Sequence, residues 1–277
     1  MKTLKRLLRN FAFATGLLLT VALVICAILA PVLAPSDPLK PEGPRLEAPS
    51  DEHPLGLDEL GRDVLSRIVW GARVSLRVGF SVVLLASLVG VTLGAIAGYF
   101  GGAADVMIMR LCDILLAFPG ILLAIALVAV LGPSLNNVIL ALAIIGWVGY
   151  ARLVRGQVLK VREMEFVTAA KALGARAPRV IALHVLPNVM NPVIVMATLG
   201  LAGAILSEAA LSFLGLGVQP PTPSWGAMLT YGRQYLGLAN HLTIFPGAAI
   251  MVAVMGLNFL GDGLIDALDP KYRKEMR

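Results

Sequence analysis

The stretch EFVTAAKALGARAPRVIALHVLPN, residues 165–188, decides how the rest of the chain is read. It holds Lys171, Arg176, Arg179 and His184, so it is too polar to cross a membrane. Its apolar residues nevertheless recur at helical spacing. Phe166, Ala169, Ala170 and Leu173 stand at i, i+3, i+4 and i+7, one face of a helix. Gly174 is a natural helix stop, because glycine tolerates the left-handed backbone that ends a helix. Pro178 restarts the chain, Val180, Ile181 and Val185 give a second short apolar face, and Pro187 marks entry into the next apolar run. The stretch reads as an ordered helix-turn-helix elbow whose small side chains let another protein's groove approach closely.

On both sides of this basic island the chain is strongly apolar. Of 277 residues, 58% are hydrophobic and 14% charged, against about 25% charged in a soluble domain. This is the composition of an integral membrane protein with an all-α fold. A span needs about 20 apolar residues, and six candidates are found near 11–34, 77–100, 106–131, 137–154, 188–213 and 242–264. The first is longer than the roughly 7–15-residue core of a signal peptide. Residues 35–76 form a Pro-rich, acidic loop, and its later part, LDELGRDVLSRIVWGARVSLR, has the pattern of an amphipathic interfacial helix. Residues 77–264 then hold a core of about five helices, interrupted by the loop 156–187.

Lysine and arginine set the orientation. With residues 1–10 in the cytoplasm, sixteen of the 23 basic residues fall on inner segments and seven on outer ones. The expected topology is N-in and C-in, with 265–277 as a cytoplasmic tail. The 35–77 segment carries six basic residues but eight acidic ones. This topology puts the elbow in the cytoplasm, where it faces a soluble partner. The net charge of +6 is explained by this distribution. No basic stripe interleaved with aromatics suggests nucleic-acid binding.

The motif TAAKALG, nine residues, then HVLP resembles the cytoplasmic loop of the permease subunits of bacterial ABC importers. That pattern reads Glu-Ala-Ala, three residues, Gly, nine residues, Ile-x-Leu-Pro. Ala169, Ala170, Gly174, Leu186 and Pro187 match it; Thr168 stands in place of the Glu and His184 in place of the Ile. The stretches HPLGLDELGRDVLSRIVWGARVSL (53–76), SEAALSFLGLGVQPPTPSWGAML (207–229) and NFLGDGLIDALDP (258–270) are similar to the dipeptide, oligopeptide and nickel permease branch. The resemblance implies a type I importer fold and a multi-pass location in the cell membrane. It also implies that the elbow is a coupling helix, seated in a groove of a separate ATPase. The implied partners are a second permease, as a heterodimer, one or two ATPases and an extracytoplasmic binding protein. The cargo would be di- or oligopeptides, with nickel or another small solute as the alternative. The chain has no G-x-x-x-x-G-K-[ST] phosphate loop, so ATP hydrolysis is expected on the partner.

The remaining motifs are read structurally. Cys26 and Cys112 lie inside apolar runs, and His53, His184 and His241 are dispersed, so neither a disulfide nor a metal site is expected, and no cofactor. No nucleophile-base motif suggests an enzyme. A secondary transporter working alone often shows inverted repeats, and none is visible. Arg110 and Asp113 are spaced to pair on one helix, and Pro119 is placed to kink the third span. The VQPPTPSWG loop is stiff enough to support a docked binding protein. Glu208, inside the fifth span, is a candidate for the translocation path or its gate, because a carboxyl at membrane depth usually faces a cavity or a partner.

Overall fold

The computed structural model describes residues 10–268; the N-terminal residues 1–9 and the tail from 269 lie outside them. Its elements, in order, are α1 (Phe11–Ile28), α2 (Ala30–Leu33), α3 (Val64–Phe100), α4 (Gly102–Leu116), α5 (Gly120–Leu131), α6 (Leu135–Val161), α7 (Glu165–Ala172), α8 (Ala177–Val180), a π turn (Ile181–Val185), α9 (Leu186–Phe213), α10 (Trp225–Gly232), a 3₁₀ turn (Arg233–Tyr235) and α11 (His241–Leu268). Five stretches are long and apolar enough to cross a membrane, and α4 with α5 makes a sixth if that bent pair is counted as one span.

Three boundaries differ from the sequence reading. The second span has no separate interfacial helix before it. Asp63 caps Val64 onward by accepting from the Ser66 N–H at 2.7 Å, and the helix runs 37 residues without a break, about 55 Å. The amphipathic pattern of 64–77 belongs to the end of this rod that is packed against the loop 35–63. The third span is not kinked but divided, with α4 and α5 meeting at 86°. Pro119 has no N–H and disfavours a helical residue before it, so the helix stops and restarts. The fifth span starts early, because α8, the π turn and α9 form one continuous rod from Ala177 to Phe213.

Two close seams hold the helices. Gly90, Gly94 and Gly98 repeat every fourth residue and lay α3 directly on the α6 backbone. A Cβ on Gly90 would stand 2.5 Å from the Trp147 carbonyl oxygen, and one on Gly98 would stand 2.9 Å from that of Arg155. Matching 90 to 147, 94 to 151 and 98 to 155 makes the two helices parallel. Small residues permit this approach, and dispersion between the backbones stabilises it where lipid removes the hydrophobic contribution. The second seam joins α1 to α11 antiparallel, with Gly16 on the Phe259–Leu260 backbone and Gly256 on Leu19. At its end the Asn10 amide donates to Asp266 at 2.9 Å. The first described residues, the end of α11 and the elbow therefore lie at one end of the bundle. The loop 35–63 and α10 lie at the other.

Candidate functional site

The elbow is built on a small buried base. Val167 and Ala170 of α7 turn inward with Val180 and Val185, joining the core around Val154, Val158 and Val161 of α6. Gly174 turns the chain with φ +82°, a value that glycine adopts without the Cβ clash. Lys171 lies over the Tyr99 ring at 5.2 Å, and Arg162 donates to the Gly98 carbonyl at 2.8 Å. Lys171 thus ties the elbow, and Arg162 the end of α6, to the C-terminal end of α3. The outward face carries large apolar side chains among its charges. Leu173 is 89% exposed and Phe166 41%, with Met164 and Leu183 exposed beside them.

The face expected from spacing is thus divided. Ala170 faces the bundle, while Phe166, Ala169 and Leu173 face out with Thr168 and Gly174. Leu186 and His184 are half-buried and Pro187 is exposed at the start of α9. The His184 carbonyl accepts from the Asn188 amide at 2.7 Å. Val167 was absent from the expected set. A short helix packs one side on its own bundle, and periodicity alone does not say which side.

At the opposite end, Glu208 is fully buried. Ser212, one turn on, donates its hydroxyl to Glu208 Oε1 at 2.6 Å and accepts the Val218 N–H at 3.3 Å. Ser224 caps α10 by accepting from Ala227 at 3.2 Å. Trp225 lies against Gly71 and donates to the Ile68 carbonyl at 2.9 Å. Glu208 therefore reaches the loop between α9 and α10 through Ser212, and its Oε2 has no hydrogen-bond partner among the described residues. The fold brings two of the quoted stretches, 53–76 and 207–229, to this junction. The loop ahead of α3 is itself fixed by buried charges: Asp58 pairs with Arg62 at 2.7 Å and Arg67 donates to the Pro38 carbonyl at 2.9 Å.

A third group links α4 to α6. Asp113 pairs with Arg152 of α6 instead of with Arg110 on its own helix. Asp105 is held by two guanidinium nitrogens of Arg155, Nε and Nη2, the latter at 2.7 Å. These pairs link residues 39 and 50 apart, a separation that helical spacing does not detect. The Gly90–Gly94–Gly98 repeat, by contrast, was visible in the sequence as glycine at every fourth position.

With this geometry in place, the comparisons are specific. Residues 90–274 match the family described as binding-protein-dependent transport system inner membrane component. Residues 2–49 match the N-terminal TM domain of oligopeptide transport permease C. The chain is 50% identical over 270 residues to the dipeptide transport system permease protein of Alkalihalophilus pseudofirmus, covering 97% of this chain and 89% of that protein. It is 47% identical to the di/tripeptide transport system permease protein of Pseudomonas aeruginosa (93% and 88% covered). It is 44% identical to the glutathione transport system permease protein of Pectobacterium atrosepticum (97% and 90% covered). An all-helical bundle with five to six apolar spans, matched over most of its length, belongs to the family of inner-membrane permease components of binding-protein-dependent transport systems.

Proposed function

We propose that this chain is a non-catalytic permease subunit of an ATP-driven importer, and that its cargo is a short peptide delivered by an extracytoplasmic binding protein. The relatives whose names give dipeptides, di- and tripeptides and glutathione support the cargo class. A second permease and one or two ATPase subunits complete the assembly. The observation that carries the coupling role is the exposed ridge of Phe166, Leu173 and Leu183 on an elbow whose second arm, from Ala177, continues without a break into α9. An exposed apolar ridge at the end of a rigid rod gives a partner both a grip and a lever. Thr168, Ala169 and Gly174 shape its close-approach surface, Ala170 seats it on the bundle, and His184, Leu186 and Pro187 form the root. The elbow lies in the cytoplasm, with both chain ends on the same side. Glu208 serves as a clamp on the outer gate loop, because it holds Ser212, whose hydroxyl accepts the Val218 N–H of that loop.

The test is reconstitution with the ATPases and binding protein, followed by uptake of labelled dipeptides with and without ATP. Single cysteines at Ser50 and Arg233 are expected to label from outside, and one at Arg176 only after permeabilisation. Outside labelling at Arg176 would end the coupling reading. ATP-independent uptake by this chain alone would end the importer reading.

A further inference from the structure

The apolar strip on the outside of the first span has a defined end. Leu18, Val21, Ile25, Ile28 and Val32 are exposed along α1 and α2. From Phe11 to Val32 the chain climbs about 30 Å, which is about the thickness of a bilayer's hydrocarbon core. One face of α3 shows the same change. Leu88, Leu84 and Phe80 are exposed on it, and the next exposed positions toward the start of the helix are Arg77 and Arg73. Where α2 passes into the loop, a groove of about 550 Å³ opens between residues 31–39, Trp70 of α3 and Thr222–Pro223. Small-molecule sites typically measure about 300–1,000 Å³.

The groove is held in shape by its own walls. The Ser36 N–H donates to Ser66 Oγ at 3.0 Å, and Arg67 holds the Pro38 carbonyl from α3. On the other side Trp225, packed on Gly71, fixes the chain that carries Thr222 and Pro223. What the groove lacks is an acceptor. Arg73 lies over the Trp70 ring at 5.1 Å, and neither its guanidinium nor the Trp70 indole N–H has a hydrogen-bond or salt-bridge partner among the described residues. These donors stand on the membrane side, since Arg73 is one turn nearer the apolar face of α3. A carboxylate stands beyond the end of the apolar strip: Asp37, in the groove wall, is 42% exposed and only 3.5 Å from the mobile end of Lys40.

We propose that this groove binds one phospholipid with a primary-ammonium headgroup. The Arg73 guanidinium and the Trp70 N–H take the phosphodiester, Asp37 takes the ammonium, and the acyl chains lie along the exposed strip of α1 and α2. The order of groups along the membrane normal is the argument for a lipid: apolar surface first, then unpaired donors, then a carboxylate. A phospholipid presents chains, phosphate and ammonium in that sequence. A soluble anion has no part that matches the strip. The site depends on the chain spanning a membrane and not on the cargo it moves; the leaflet is the one opposite the elbow.

The experiment uses the assembled transporter, delipidated in detergent and titrated with phosphatidylethanolamine, phosphatidylcholine or phosphatidylglycerol, with bound lipid counted by native mass spectrometry. One phosphatidylethanolamine per copy of this chain is expected to depend on the groove. Thr222→Trp, which fills the groove without changing charge, removes it. Arg73→Gln weakens it by about tenfold, the size of one charge-assisted hydrogen bond. Arg77→Gln, on the same face but bonded to Asn136, leaves it unchanged. Arg73 and Thr222 are exposed, so assembly is expected to be retained, and should Thr222→Trp fail to assemble, Arg73→Gln carries the test. Parental binding in both variants overturns the proposal, since the lipid then sits elsewhere. Equal loss in Arg77→Gln overturns it in favour of a general attraction to headgroups. No retained lipid in the parent overturns it in favour of a groove that is empty or covered by a partner subunit. Competition by inorganic phosphate or free phosphoethanolamine with no lipid retained overturns it in favour of a soluble anion. Phosphatidylglycerol bound as tightly as phosphatidylethanolamine overturns the ammonium assignment, which Asp37→Asn is expected to erase.

Discussion

Leu173→Ala separates a docking ridge from an ordinary loop. In the isolated chain Leu173 is 89% exposed at the end of α7, so almost none of its side chain contributes to the fold. If an ATPase groove covers it, removing the three carbons beyond Cβ forfeits about 0.8 kcal/mol per buried carbon group, about 2 kcal/mol in all. At about 1.4 kcal/mol per tenfold, the dissociation constant rises by about 30-fold. The bundle itself should be unchanged, since Val167 and Ala170 anchor α7. The assay is a titration of purified permease heterodimer with fluorescent ATPase in detergent, accompanied by thermal melting of each variant. Val130→Ala is the control, because Val130 is equally exposed but ends α5 at the other end of the bundle. A change within about twofold for Leu173→Ala, where about 30-fold is expected, would show that no partner buries this residue, and the ridge would lose its role.

Gly94→Val inserts three carbons against the α6 backbone at Ala151 and against Val154. Overpacking of this kind costs about 1–3 kcal/mol, so a lowered melting temperature is expected, whereas Gly203→Ala, where a Cβ meets open space, should leave it unchanged. Glu208→Leu leaves Ser212 without its acceptor in a buried site and should reduce assembled complex, a penalty of about 1–3 kcal/mol. Glu208→Gln keeps that acceptor, so copurification should stay normal while uptake falls, because a carboxylate oxygen accepts the stronger hydrogen bond. Parental uptake across peptides of different charge would reduce Glu208 to a structural group.

How far the sequence could be read differs from element to element. The apolar runs alone specify an all-α membrane protein, because a span must satisfy its own backbone hydrogen bonds and only a helix does so within one segment. The elbow at 165–188 was also legible, since a basic island cannot remain in hydrocarbon and Gly174 and Pro178 mark its turn. Its apolar spacing could not tell the anchored side from the presented one. That depended on which residues met Val180, Val185 and the end of α6, and only the packed bundle puts Val167 inward and Leu173 outward. Likewise Arg110 and Asp113 were spaced to pair, yet a stronger partner, Arg152, arrived from a helix 39 residues away. Pro119 announced a disturbance, but the 86° turn depends on α5 finding its seat beside α6. Local chemistry determined where this chain crosses, stops and turns. Helix pairing decided which side chains are sealed in and which stay open to a partner, water or cargo, because that depends on contacts between segments with no periodic relation in sequence.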